Sequence, residues 1–174
     1  MNLYFRLIWL LVRLSSMPKL KNPLDIASLT LRVYPNDLDL NFHVNNGRYL
    51  TIMDLGRIQL MGVLGLLTPI RKNKWLPVVG SIKIHFLKSL NLFDKFTLTT
   101  QVIYWDEKWF YMEQKIFKNN ELCVIALIKG LFTSKDGKIS PETLFSTLPH
   151  PPGRPPLPRV LKYWIEAEKA SLQE

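Results

Sequence analysis

Alternation of apolar and polar residues marks the second half of the chain. After Pro77, "VVGSIKIHFLKSL", "KFTLTTQVIYW" and "WFYMEQKIF" have the period of a half-buried strand, and "LCVIALIKGLFTS" reads as a fourth. The turns "LNLFDK", "DEK" and "KNNE" separate them, and "KDGK" follows the last. Four strands joined by short turns predict an antiparallel meander. An earlier alternating segment, "ASLTLRVY" from Ala27 to Tyr34, predicts another strand that Pro35 ends. Between these strands "GRYLTIMDLGRIQLM" predicts a helix to about Met61. Its apolar residues cover more than a narrow stripe, so it is expected to be buried on several sides. Asn45 or Asn46 suits the N-cap, and Gly62 with Gly65 supplies a stop. "TPIRKNKW" has the chemistry of a loop.

The two ends follow other patterns. "MNLYFRLIWLLVRL" is apolar except for Arg6 and Arg13, and too short to span a bilayer comfortably. It lacks the charge order and small-residue end of a secretory signal. Three readings stand: a helix packed on the domain or a partner subunit, a helix lying in a membrane surface, or an uncleaved anchor. Pro18 and Pro23 then bracket a linker. At the other end "LPHPPGRPPLPR" predicts a stiff extended connector, and "VLKYWIEAEKASLQE" an amphipathic helix.

An antiparallel sheet of four or five strands has an apolar face to hide, and one long apolar helix is available to cover it. The simplest solution wraps a curved sheet around that helix, an α+β fold. The helix N-terminus then opens at the rim of the sheet. Its unpaired N–H groups carry about half a positive elementary charge and suit an oxygen that becomes anionic.

Composition narrows the function. The 174 residues suit one domain with modest tails, and a chain that is 47% hydrophobic can bury a real core. A single cysteine, Cys123, forms no intrachain disulfide; it is expected to be packed, in a protein of a reducing, cytoplasmic compartment. The formal charge of +9 favours anionic partners. No basic cluster interleaved with aromatics, zinc-finger spacing or arginine-rich helix is present, which sets nucleic acid aside. No carboxylate–histidine spacing supports a metal site, and no cofactor is expected.

The stretch "YPNDLDLNFHVNNGRYL", running into a helix and then a meander, resembles the hotdog-fold acyl-CoA thioesterases of the 4-hydroxybenzoyl-CoA thioesterase type. Asp39, His43, Val44, Asn45, Asn46 and Tyr49 fall in register with that family's motif, and Asp94 keeps the place of a turn aspartate. Phe42 departs from it, standing where the family usually has glycine, and could narrow the pocket or turn away. The resemblance covers roughly 29–140. It implies an antiparallel sheet of about five strands around a central helix, with an extra C-terminal helix. The expected division is residues 1–22 as apolar segment and linker, 23–147 as hotdog domain, and 148–174 as connector and helix.

The resemblance also implies roles. Asp39 is the carboxylate, either attacking the thioester carbonyl or deprotonating water, and the Asn46 N–H is the oxyanion donor. His43 and Asn45 shape the loop, and Phe42, Tyr49 and Asp37 are expected beside the substrate. Asp37 and Asp39 would share a face if that stretch were extended. The bland reading is that Asp39 and Asn45 only cap and turn. Asp54 is a rival acid on the helix, or an i,i+3 partner of Arg57. The expected substrate is a hydrophobic acyl-CoA, fatty or aromatic. Its phosphates could meet Lys83, Lys88, Arg71 to Lys74, Arg154 or Arg159. A homodimer or homotetramer is expected to complete the pocket, with peripheral membrane contact through residues 2–14. The alternative is a non-catalytic acyl-chain or lipid-binding hotdog protein at a membrane surface. A carrier-protein-linked dehydratase needs a histidine–acid pairing that is not seen.

Overall fold

In the computed structural model, residues 2–171 are described. The elements run α1 (Asn2–Arg13), β1 (Ala27–Arg32), α2 (Asn46–Val63), α3 (Leu67–Lys72), β2 (Leu76–Phe86), β3 (Lys95–Trp105), β4 (Phe110–Lys118), β5 (Glu121–Ser134), β6 (Gly137–Ile139), α4 (Pro141–Phe145) and α5 (Arg159–Ser171). All strand pairs are antiparallel, in the order β1-β3-β4-β5-β2, with short β6 added on β5. The sheet curls around α2 in the hotdog arrangement, as the period pattern and the resemblance predicted.

Three local expectations are corrected. "TPIRK" lies wholly in α3 and not in a loop: Pro69 sits in the first turn, where its missing N–H has no helical partner to lose. Gly62 stays inside α2 and only Gly65, at φ +78°, ends it. The sheet also gains a strand, because "KDGK" makes a hairpin turn through Gly137 at φ +124° and returns as β6. The residues 172–174 of the predicted C-terminal helix lie outside the described ones.

The alternation along β4 explains the layering. Phe110, Met112 and Ile116 face the core around α2, while Tyr111 faces the other way. Gln114 also points inward. Its Nε2 donates to the Met53 carbonyl (3.0 Å) and the Thr100 hydroxyl (2.8 Å), and its Oε1 accepts from Arg57 Nη1 (2.8 Å). On the opposite face, Leu161 of α5 packs against Tyr111 and Leu127, and the Trp164 ring stands edge-on to Tyr111 at 6.3 Å. Lys129 of β5 pairs with Glu168 of α5. The aromatic cluster around Trp105 is thus packing, with Trp105 edge-on to Phe145 at 4.8 Å. Cys123 is buried and free, and desolvation pushes its thiol pKa up.

Helix α1 docks one stripe and exposes another. Leu10 is buried, and the following turn places Leu14 over Gly62 of α2, where a Cβ would come within 2.6 Å of the leucine. Arg6 is buried too. Tyr4, Phe5, Ile8, Leu11 and Val12 face outward. Among the described residues, no helix is long and apolar enough to cross a membrane.

Candidate active site

The polar loop between β1 and α2 begins with a turn of 3-10 helix at Pro35–Asp37. A tight hairpin follows, closed by a bridge between Leu38 and Val44. Inside it the Asp39 N–H donates to the His43 carbonyl (2.8 Å), and the Phe42 N–H to the Asp39 carbonyl (3.1 Å). The Asp39 side chain shapes the same turn: its Oδ1 accepts from the N–H groups of Asn41 (2.8 Å) and His43 (3.3 Å). Its Oδ2 has no hydrogen-bond partner among the described residues. Asp39 is partly exposed, so it both braces the loop and presents an oxygen.

Phe42 sits at the tip with φ 59°, in the left-handed region, and its ring is 76% exposed. This accounts for glycine being usual at this position, since glycine enters that region without steric penalty. The phenyl group turns away into solvent.

The hairpin is fixed to its surroundings along its second strand. The Val44 N–H donates to the Leu90 carbonyl (3.0 Å), and His43 bridges to Asn91. Behind it, the Leu90 N–H donates to the Tyr49 hydroxyl (3.2 Å), and the Tyr49 ring lies 5.4 Å from that of Phe86. Burial pushes the Tyr49 hydroxyl up to about 12, so it stays protonated in this structural role. These contacts hold the start of α2 beside the end of β2.

Asn45 caps α2, its Oδ1 accepting from the Gly47 N–H (2.9 Å). Its carbonyl accepts from the Arg48 N–H (2.8 Å). The next N–H, that of Asn46, is exposed in the first turn, and no acceptor meets it among the described residues. The hairpin therefore gathers Asp39, His43, Asn45 and an unpaired helix-start N–H on one short stretch.

Asp37 lies elsewhere than expected. It is not on an extended strand sharing a face with Asp39, because Pro35 starts a 3-10 turn that directs it inward. It is 0% exposed and pairs with Arg6 (2.5 Å) and Arg48 (3.1 Å). Tyr49 is also behind the hairpin, in the core. Sequence reading missed Arg6 and Arg48 as parts of this region. Arg48 stands within the motif, in the first turn of α2, which could have flagged it; Arg6 gave no such signal.

Asp54 pairs with Arg57, the i,i+3 contact weighed from the sequence, and burial lowers the Arg57 pKa. Both border a mostly apolar cavity of about 350 Å³ formed by the middle and end of α2, Pro77 to Val79 of β2, Phe110 and Met112 of β4, and Phe145. Asp39 and Asn46 do not line it, so a single copy of the chain keeps the hairpin, just before α2, apart from the cavity along the middle and end of that helix. Of the cations considered for phosphates, Lys88 pairs with Glu121, and Arg154 with Glu107 (2.8 Å) and Glu142 (2.5 Å). Among the described residues, no group of His, Cys, Asp and Glu is arranged to hold a metal ion.

Comparison with known proteins adds four findings. A profile of the thioesterase-like superfamily matches residues 33–165. Protein THEM6 of Danio rerio is 29% identical over 98% of this chain and 84% of its own length. A probable thioesterase of Saccharomyces cerevisiae, YBR096W, is 31% identical over 64% of this chain and 49% of its own length. Among solved structures, the Staphylococcus aureus protein SAV2348, in complex with CoA, matches with a TM-score of 0.62 at 19% identity, over 83% of this chain and 94% of that one.

Proposed function

Because the chain belongs to the thioesterase-like superfamily and is a thioester hydrolase by that membership, we propose that it hydrolyses the thioester of a hydrophobic acyl-CoA at the Asp39 hairpin. The observation that carries this reading is the open Asn46 N–H, set directly after a hairpin whose Asp39 keeps one carboxylate oxygen unpaired. The N–H at the helix start would donate a hydrogen bond to the carbonyl oxygen and stabilise its developing charge. Asp39 acts by one of two balanced routes. It attacks the carbonyl carbon, the C–S bond breaks, CoA leaves as thiolate, and water then opens the anhydride. Alternatively it takes a proton from water, which attacks instead. His43 and Asn45 hold the hairpin and cap in shape. A CoA-bound relative in fold supports CoA as the carrier.

The acyl group needs an apolar site, and the cavity bordered by Asp54 and Arg57 is the best candidate. It can meet the hairpin through a second copy. Strand β2 is an edge, with Leu76, Val78, Val79 and Phe86 exposed. Such an edge is a surface for pairing. Two β2 edges paired antiparallel about a two-fold axis set Pro77 to Val79 of one copy beside the Phe86 end of the other. The cavity of one copy then faces the hairpin of its mate. The proposal therefore includes a homodimer, with a homotetramer as a further step.

Membrane contact is assigned to the outward stripe of α1. Tyr4, Phe5, Ile8, Leu11 and Val12 are exposed, and Arg13 lies over the Trp9 ring at 4.7 Å. Arg32 and Lys95 line a cleft with Phe5 and Trp9 beside them. An apolar stripe edged by cations is the pattern of a helix lying in an anionic lipid surface.

The test uses purified full-length protein with acetyl-, decanoyl-, palmitoyl- and benzoyl-CoA, reading free thiol. Release from the longer or aromatic substrates by a dimer in light scattering is the expected result. A well-folded protein inert on all four overturns the reading.

A further inference from the structure

Helix α1 lies before the residues 33–165 that the superfamily profile covers, yet it places a side chain behind the hairpin. Arg6 is 6% exposed, and its Nη2 and Nη1 donate to the Asp37 carboxylate at 2.5 and 3.4 Å. Nη2 also donates to the Arg32 carbonyl at the end of β1 (2.7 Å), and the guanidinium lies over the Tyr34 ring at 5.1 Å.

Asp37 in turn braces the site by three routes. Its Oδ1 accepts from Arg48 Nε (3.1 Å), in the first turn of α2. Its Oδ2 accepts from the Tyr34 N–H (2.9 Å), which closes the 3-10 turn ahead of the hairpin. Its carbonyl accepts from the N–H of Asn45, the α2 cap (2.9 Å). One buried residue thus fixes the entry to the hairpin, the cap and the first helical turn, on either side of Asp39 and next to Asn46. Burying a carboxylate with no exposed surface is costly unless it is paired and hydrogen-bonded. The Arg48 side chain is 25% exposed, whereas that of Arg6 is 7% exposed and meets both carboxylate oxygens.

We infer that Arg6 is a positioning residue for the hydrolytic site: through Asp37 it sets the Asp39 hairpin against the Asn46 N–H, so α1 belongs to the catalytic architecture as well as to the packing. The inference rests on the reading of Asp39 and Asn46 as the site. Arg6 touches neither substrate nor reacting atoms. Its removal should therefore slow turnover more than it weakens binding.

The experiment measures kcat, KM and thermal midpoint for wild type, Arg6→Gln, Arg6→Lys, Leu161→Ala and Asp39→Asn on the best acyl-CoA of the panel. A misplacement of about 1 Å can lower a rate about 10²-fold, which is the fall in kcat expected for Arg6→Gln with KM within about twofold. Arg6→Lys keeps the charge but not the planar fork and should recover part of the rate, to about a tenth of wild type. Leu161→Ala, on the far face of the sheet, is the control: it lowers the midpoint and keeps kcat. If Arg6→Gln does not fold, Arg6→Lys decides, a wild-type kcat overturning the inference and a reduced one supporting it. An Arg6→Gln protein with the kcat of Leu161→Ala reduces α1 to packing and overturns the inference alone. Full turnover by Asp39→Asn overturns the site reading and the inference together.

Discussion

At Gly56 the central helix packs tightly against the sheet, and Gly56→Ala tests how α2 is seated. A Cβ built there lies 2.5 Å from Thr100 Oγ1, 2.7 Å from Leu98 Cδ2 and 2.9 Å from Gln114 Nε2. All three neighbours are buried and cannot swing into solvent. Gln114 is further held by its bonds to Met53, Thr100 and Arg57. The methyl group must lift the helix or break this network. Overpacking of a tight core costs about 1–3 kcal/mol, and a lost internal hydrogen bond about 1 kcal/mol more. Alanine's advantage over glycine inside a helix returns about 1 kcal/mol. The net is a loss of about 2 kcal/mol, or about 4–8 °C in Tm for a domain of this size. Urea titration followed by tryptophan fluorescence gives the value directly, with Gly153→Ala, where a Cβ meets open space, as the neutral control. A Gly56→Ala midpoint equal to or above wild type would refute the close helix–sheet approach.

Other outcomes follow from the same structure. Asp37→Asn should lose about 3–5 kcal/mol in urea titration, because it breaks a buried ion group, whereas Asp54→Asn, at a half-exposed carboxylate, should lose about 1 kcal/mol or less. Equal losses at the two sites would contradict the assignment of Asp37 as a buried brace. Phe42→Gly should gain about 0.5–1 kcal/mol, the relief of a left-handed residue outweighing glycine's added chain freedom; a lower Tm would show that the phenyl group packs. Ile8→Glu with Val12→Glu should weaken sedimentation with phosphatidylserine-containing vesicles about 30-fold, equivalent to about 2 kcal/mol of lost apolar contact. Unchanged sedimentation removes the outer stripe of α1 as a membrane contact.

Much of this fold was legible because its signals are local. The predicted strand "KFTLTTQVIYW" has the bounds of β3, since its alternation maps directly onto the two faces of the sheet. Asn45 announced the start of α2, because a capping side chain needs only the N–H two residues on. The motif marked the polar loop before α2, but not that it closes as a hairpin with Phe42 in the left-handed region. What escaped depends on distance in sequence. Asp37 read as a second acid beside the substrate, and its partner Arg6 lies 31 residues away, one of two charges in an otherwise apolar segment. Gly62 looked like a helix stop, and only the packing of Leu14 shows why it is a glycine within the helix. The charges of "TPIRKNKW" masked a short helix, since proline in a first turn is compatible with helix or loop. The apolar cavity has no sequence signature, because β2, β4, α2 and α4 each contribute only a few of its residues.

The central claim is that Asp39 does the chemistry beside an open helix-start amide. Its most direct test is the turnover of Asp39→Asn on the preferred acyl-CoA, with the fold monitored by circular dichroism and the urea midpoint. Asparagine keeps an oxygen to brace Asn41 and His43 but has neither the charge nor the basicity to attack or to activate water. The account predicts a folded protein whose kcat falls at least about 10²–10⁴-fold, the range for removing a positioned base. A folded Asp39→Asn protein that releases CoA at the wild-type rate would contradict it.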